Sequence, residues 1–346
     1  MLNYSIHTFE LRLKVKPCEI RKIRDWLYSK SIPIKKYDDG TLNVLSYANR
    51  GVRIKFIPDN YKPHFAFIVN LREVLENGNL VDLINPTDVS EAINQVNGMI
   101  VNFFGVCHNI DTLQLCRIDC CVNISVCSQE AVDTYLNLLN HKLGNAKGYK
   151  VKNINSPNRY CKNEFRAENG KSGIVLSIYN KMAQLLSINR KAEAGRAEGI
   201  LRLEVQLKRH STITQLFSQD LSNSEIIKRA VLHSREIISM VLFKVIPRGN
   251  YHKLDDAIEL VNCNIARKKM RRRMIRLLEI SSKLHSISLA KDKLFSEDKK
   301  LSKGYYRDML AEFSDLNLNI VTLGRRCKFS YLKGLGEFIR EQTMNS

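Results

Sequence analysis

The stretch Leu113–Val126, LQLCRIDCCVNISV, decides the reading of the fold. It has no Gly or Pro and is rich in Ile, Val and Cys, so it reads as a long β-strand. Alternate residues of a strand share a face. Cys116, Ile118, Cys120, Val122 and Ile124 make one apolar face, and Arg117, Asp119, Cys121 and Asn123 make a polar one. A carboxylate in mid-strand has poor β-propensity, so Asp119 asks for a reason to be there.

Two later stretches repeat the pattern. Gly173–Lys181 puts Ile174, Leu176 and Ile178 on one face and Val175, Ser177, Tyr179 and Lys181 on the other. Leu201–Lys208 puts Leu201, Leu203, Val205 and Leu207 on one face and Arg202, Glu204, Gln206 and Lys208 on the other. Three strands with one polar face each suit the solvated side of an antiparallel sheet. They equally suit a surface that gathers Asp119, Tyr179, Lys181 and Glu204 among cations. Two carboxylates beside Arg117 and Arg202 favour hard-cation ligation, and a tyrosine beside a lysine is a nucleophile for phosphoryl transfer.

Around these strands the first half reads as mixed. His7–Val15, Leu42–Ala48, Val52–Pro58 and His64–Leu71 read as strands. Helical spacing follows Pro17 and recurs in Arg72–Ile84 and Asp88–Phe104, the latter with Thr87 or Asp88 as N-cap. Ser128 caps a helix that runs to about Gly144, and a short helix, Met182–Arg190, follows the second strand. Beyond residue 210 the pattern is helical throughout, beginning with one long helix, Glu225–Val245. The expected fold is α+β. An antiparallel-sheet catalytic domain, residues 1–215, precedes an all-helical, helix-turn-helix or winged-helix-like domain, residues 216–346.

Composition narrows the class. The chain has 346 residues with 55 Lys plus Arg against 35 Asp plus Glu, a net charge of +20. Such a surplus reports an anionic partner. No uncharged apolar run is long enough for a membrane span, and the N-terminus lacks a signal-peptide core, so no membrane partner and a cytoplasmic location are expected. Nine scattered cysteines read as reduced thiols, and neither zinc spacing nor a P-loop occurs.

The motifs LCRIDCCVNI (115–124), SIYNKMAQL (177–185) and ILRLEVQLKR (200–209) together resemble the phage and plasmid replication proteins of the filamentous-phage gene II/gene X family. They are also similar to the Rep_trans class of rolling-circle initiators. The resemblance spans about residues 1–215. It implies a metal-dependent DNA endonuclease and strand transferase that nicks one strand at an origin, holds the 5′ phosphate on tyrosine and rejoins it. By position, Tyr179 is the nucleophile and Lys181 contacts the scissile phosphate or lowers the tyrosine pKa. Asp119 and Glu204 bind Mg²⁺ or Mn²⁺, and Arg117, Arg202 and Lys208 contact phosphates. Asn180 and Gln184 stand where the family often has acids, and Glu164 and Glu168 are further ligand candidates. Tyr160 is a rival nucleophile. Partners implied are origin duplex and single-stranded DNA, a host helicase and polymerase, and a second copy in a homodimer. A conjugative relaxase or a non-catalytic DNA-binding regulator are the alternatives.

The helical part concentrates charge. Asn262–Arg307 holds fourteen Lys or Arg against four Asp or Glu, half of the chain's surplus. Arg271, Arg272 and Arg273 lie on a basic amphipathic helix. Ser302 caps the next-but-one helix, whose start carries Lys303, Tyr305, Tyr306 and Arg307, expected at a DNA groove or backbone.

Overall fold

The computed structural model describes residues 2–30, 32–76, 80–143, 146, 148–151, 163–284 and 286–340. Its ten-stranded sheet is built from β1 (Tyr4–Lys14), β2 (Ile34–Lys36), β3 (Leu42–Val44), β4 (Val52–Ile57), β5 (His64–Val69), β6 (Gln114–Ser125), β7 (Lys150–Val151), β8 (Glu164–Asn169), β9 (Ile174–Asn180) and β10 (Ile200–Leu207). The order is β2-β3-β4-β5-β1-β6-β10-β9-β8-β7, and every neighbouring pair is antiparallel. Strand β6 lies between β1 and β10, and β9 follows β10. The three motif strands are therefore neighbours.

The helices of the first part are α1 (Ile20–Ser29), α2 (Leu71–Leu75), α3 (Val89–Phe104), α4 (Gln129–Lys142), α5 (Lys181–Ser187), α6 (Lys191–Ala194), α7 (His210–Phe217), α8 (Asn223–Leu232) and α9 (Ser234–Val245). Helices α4, α7, α8 and α9 cover the apolar face of the central strands. Ile118, Cys120, Val122, Ile124, Leu203 and Val205 are sealed beneath them, together with Ile227, Ile238, Val241 and Leu242. Burying one such aliphatic side chain is worth about 1.5–3 kcal/mol. Trp26 of α1 meets Phe65, Phe103 and Phe104 in an aromatic cluster at the β5 side.

Three expectations change here. The helix expected over Arg72–Ile84 stops at Leu75, and Glu76 is extended (φ −124°, ψ 100°). Residues 80–84 are instead drawn onto the polar face of the sheet, where Ser5 Oγ donates to the Ile84 carbonyl at 2.8 Å. Asp88 holds the N-cap position of α3 but makes no capping bond with its side chain, which bonds Asn85 and Thr87 instead. The long helix expected over Glu225–Val245 is two helices meeting at His233 (φ −99°, ψ 11°), with a capping box between Ser222 and Glu225 at the start of the first. Because α8 and α9 bury their stripes in the sheet's core, the first apolar core reaches well past residue 215.

A second apolar core is formed by α10 (Leu254–Asn264), α11 (Lys268–Leu284), α12 (Ile287–Glu297) and α13 (Lys303–Asp315). Met270, Met274, Leu277 and Leu278 supply the α11 stripe, as its spacing predicts. This part is not all-helical. The run after α13 lies parallel to residues 250–253, through bridges Asn250–Leu318 and Lys253–Leu323. A short antiparallel pair, β11 (Tyr251–His252) and β12 (Tyr331–Leu332), precedes α14 (Leu335–Arg340). Gly334 is required there, since a Cβ would fall 2.3 Å from the Gly249 carbonyl oxygen.

Candidate active site

The polar face of the central strands is not a solvated surface. Asp119 is 1% exposed and Glu204 is 5% exposed. In the register, Asp119 faces Gln206 and Glu204 faces Cys121 across β6 and β10, while Arg202 faces Tyr179 across β10 and β9. Asp119, Glu204 and Tyr179 thus step diagonally over three adjacent strands. They line a cleft of about 400 Å³ with Arg53 and Arg117 in its wall.

At the centre, the Tyr179 hydroxyl donates to Glu204 Oε1 at 2.5 Å, and His7 Nδ1 lies 3.0 Å from the same oxygen. His7 comes from β1, where the register slips between Ile6–Cys120 and Thr8–Asp119. This bulge adds one residue and so brings His7 as well as Thr8 to the polar side. Its other ring nitrogen, Nε2, is buried and has no partner among the described residues. Burial lowers the His7 pKa to about 4 despite Glu204, so the ring is neutral at pH 7. Burial pushes the Tyr179 phenol well above its usual range, and the Glu204 charge adds to this. Burial would raise Glu204 too. In the acid range where Glu204 titrates His7 is charged, and its charge and hydrogen bond, then the Arg202 charge and the Tyr179 hydrogen bond, outweigh burial and hold the carboxyl well below its usual range.

Asp119 is differently placed. Arg117 donates to both its oxygens, Nε at 2.7 Å and Nη2 at 2.5 Å, and the Thr8 hydroxyl donates to Oδ2. Burial raises its pKa to about 6 against the pull of Arg117, so at pH 7 and above it is the anion of an ion pair. The resemblance implies metal ligation by Asp119 and Glu204. Both Asp119 oxygens are committed to protein donors, and Glu204 Oε1 already serves two groups. Among the described residues no group of three His, Cys, Asp or Glu side chains is placed to hold a metal ion. A Mg²⁺ or Mn²⁺ ion held there would share the Asp119 oxygens with these donors. Glu164 faces Tyr179 across β8 and lines the cleft, whereas Glu168 is further along, opposite Val175.

Other expectations are corrected by burial. Arg202, expected on a phosphate, is 0% exposed. Its Nε donates to Asn123 Oδ1 at 2.7 Å, and its terminal nitrogens donate to the Leu80 and Val81 carbonyls. Asn123 Nδ2 holds Val81 as well, at 2.9 Å. Arg202 is a clamp that pins residues 80–84 over the sheet. Lys181 is not a strand residue. Asn180 caps α5 by accepting the Ala183 N–H at 3.0 Å, and Lys181 opens that helix, 0% exposed, with Nζ donating to Gln184 Oε1 at 2.8 Å. It therefore cannot touch a phosphate in the cleft. Lys208 stays exposed, and partial burial first, then the charges of Arg166 and Arg117, lower its pKa.

In the helical part Arg273 is 5% exposed and paired with Asp298, Nε to Oδ2 at 2.6 Å. Tyr306 is 6% exposed and packs on Phe295 in the second core. Both are structural rather than available to DNA. Arg272, Lys303 and Arg307 are exposed, and Arg271 and Tyr305 are half-buried. Tyr160 lies outside the described residues.

Burial of Lys181 gives a signed pH dependence. Burial first, then Arg202, lowers its pKa from 10.5 to about 7. Between those values the unfolded chain binds more protons than the folded one, so this group makes stability rise with pH, by at most about 1.4 kcal/mol per unit. Urea unfolding of Lys181→Met against wild type from pH 7 to 9.5 is expected to show the variant's relative stability falling as pH rises. A pH-independent difference would contradict the burial of a charged lysine.

No helix among the described residues is long and apolar enough to cross a membrane. Comparison of the chain with protein-family models finds none that matches, and comparison with curated proteins finds no match.

Proposed function

We propose that the chain is a rolling-circle replication initiator that nicks and rejoins one DNA strand through Tyr179. One observation carries the reading: the Tyr179 hydroxyl sits 2.5 Å from a buried carboxylate, Glu204, in a cleft walled by Arg53 and Arg117. A tyrosine that only packs has no need of an ionised hydrogen-bond partner inside the protein.

In this account the scissile phosphate enters the cleft against the two guanidinium groups, which offset its charge. Tyr179 Oη, held by its hydrogen bond to Glu204 Oε1, attacks phosphorus and loses its proton to water in the open cleft. The O–P bond to tyrosine forms and the P–O3′ bond breaks, and the departing 3′ oxygen takes a proton from water. Rejoining is the reverse: the 3′ hydroxyl attacks, the phosphotyrosine bond breaks and the phenol recovers its proton. His7 orients Glu204, and Asp119 holds Arg117 in place. The +20 surplus, with Arg272, Lys303 and Arg307 exposed on the helical part, supports binding of the duplex beside the cleft. A helix-turn-helix use of α12 and α13 belongs to this reading.

The test is to incubate the protein with single-stranded origin oligonucleotides, with and without Mg²⁺ or Mn²⁺, and to resolve the products on denaturing gels. A covalent protein–DNA band is expected. Tight binding without any adduct under all conditions would instead assign the chain as a DNA-binding regulator.

A further inference from the structure

Gln184 lies one helical turn after Lys181 and lines the cleft beside Tyr179. Lys181 Nζ donates to the amide oxygen of Gln184 at 2.8 Å, and below about pH 7, where Lys181 is an ammonium, it has no lone pair with which to accept the amide NH₂ instead. The amide NH₂ then points the other way. Lys181 is wholly buried and Gln184 half-buried, so the pair runs from the interior to the cleft wall. A glutamine amide is free to turn over in solution; here the lysine removes that freedom. Turning it would set an NH₂ against an ammonium and leave the buried lysine without this acceptor.

Resting on the nicking reading, we infer that Gln184 contacts the bound strand as an obligate donor and that Lys181 is its positioning residue. The partner it selects is a hydrogen-bond acceptor next to the scissile bond, either a non-bridging phosphate oxygen or an acceptor on a base edge. A base edge that presents only donors is rejected. Lys181 acts through Gln184 and never meets the strand.

The experiment uses the full chain carrying Tyr179→Phe, so that binding is read without chemistry. Affinity for a single-stranded oligonucleotide is measured by fluorescence anisotropy at pH 6 and fixed salt, where Lys181 is charged, for Gln184→Leu, Lys181→Met and the double variant, with folding checked by thermal unfolding. Gln184→Leu is expected to weaken binding about five- to tenfold, in line with loss of one net hydrogen bond. Lys181→Met is expected to lose a similar amount, and the double variant no more than either alone, because the two act as one unit. Gln184→Glu keeps an acceptor for Lys181 but offers no donor, and is expected to bind as weakly as Gln184→Leu. A single methylphosphonate walked along the oligonucleotide separates the two sources. A position at which it abolishes the Gln184→Leu effect marks a phosphate oxygen, and an effect removed only by 7-deaza purines marks a base edge. Unchanged affinity in Gln184→Leu, or losses that add in the double variant, would overturn the inference. Those results are independent of whether wild-type protein forms an adduct, so the inference and the nicking reading fail separately.

Discussion

Tyr179→Phe is expected to form no covalent adduct with DNA, a loss limited only by detection, while retaining its fold and its affinity for single strands. The substitution removes one oxygen. Glu204 keeps His7 at 3.0 Å and the field of Arg202, so its charge remains compensated. The stability cost is that of one hydrogen bond to a charged group, about 1.5–3 kcal/mol. Denaturing gels would read the adduct, and anisotropy the binding. Adducts that persist in Tyr179→Phe would move the nucleophile elsewhere, with Tyr160 the first candidate.

Arg117→Ala is expected to be the most destabilising single change in the cleft. It strips both guanidinium bonds from a carboxylate that is 1% exposed. Removing one partner of a buried ion pair costs about 3–5 kcal/mol. The sign of its pH dependence follows from Asp119. The folded pKa is already about 6, above the unfolded 3.8, so the folded protein takes up a proton more readily than the unfolded chain. Without Arg117 the pKa climbs further, and protonation relieves the stranded charge at low pH. The destabilisation measured by urea unfolding should therefore be larger at pH 8 than at pH 5. An equal loss at both values, or a loss below about 1 kcal/mol, would contradict a pair that holds a buried anion.

Much of this centre was legible in the sequence. Period-two alternation in β6, β9 and β10 placed Asp119, Tyr179 and Glu204 on polar faces, and the sheet order makes those strands neighbours. Alternation could not find His7. Counted in phase with Phe9 and Leu11, it belongs to the apolar side, and only the slip after Ile6 turns it round. The signal available was a histidine and a threonine side by side where a strand should alternate. Alternation through Gly173–Lys181 carries Lys181 onto the strand, whereas the Asn180 side chain accepts the Ala183 N–H and starts a helix at Lys181. Arg202 shares a face with Glu204, as the pattern says. What covers that face arrives from 80–84, about 120 positions away, and strand periodicity carries no information about such a partner. In the helical part the α11 stripe was legible, yet the same arithmetic left Arg273 on the basic side. Its pairing with Asp298, beyond the end of α12, takes it out of solvent.

The central claim is that Tyr179 carries the DNA. The most direct measurement is to trap the adduct of the wild-type protein with a single-stranded oligonucleotide, digest both components and locate the nucleotide-bearing peptide by mass spectrometry. The account predicts a 5′-phosphoryl nucleotide on Tyr179, within the tryptic peptide spanning residues 172–181. A nucleotide on any other residue, or an unmodified Tyr179 in protein that has cleaved the strand, would contradict it.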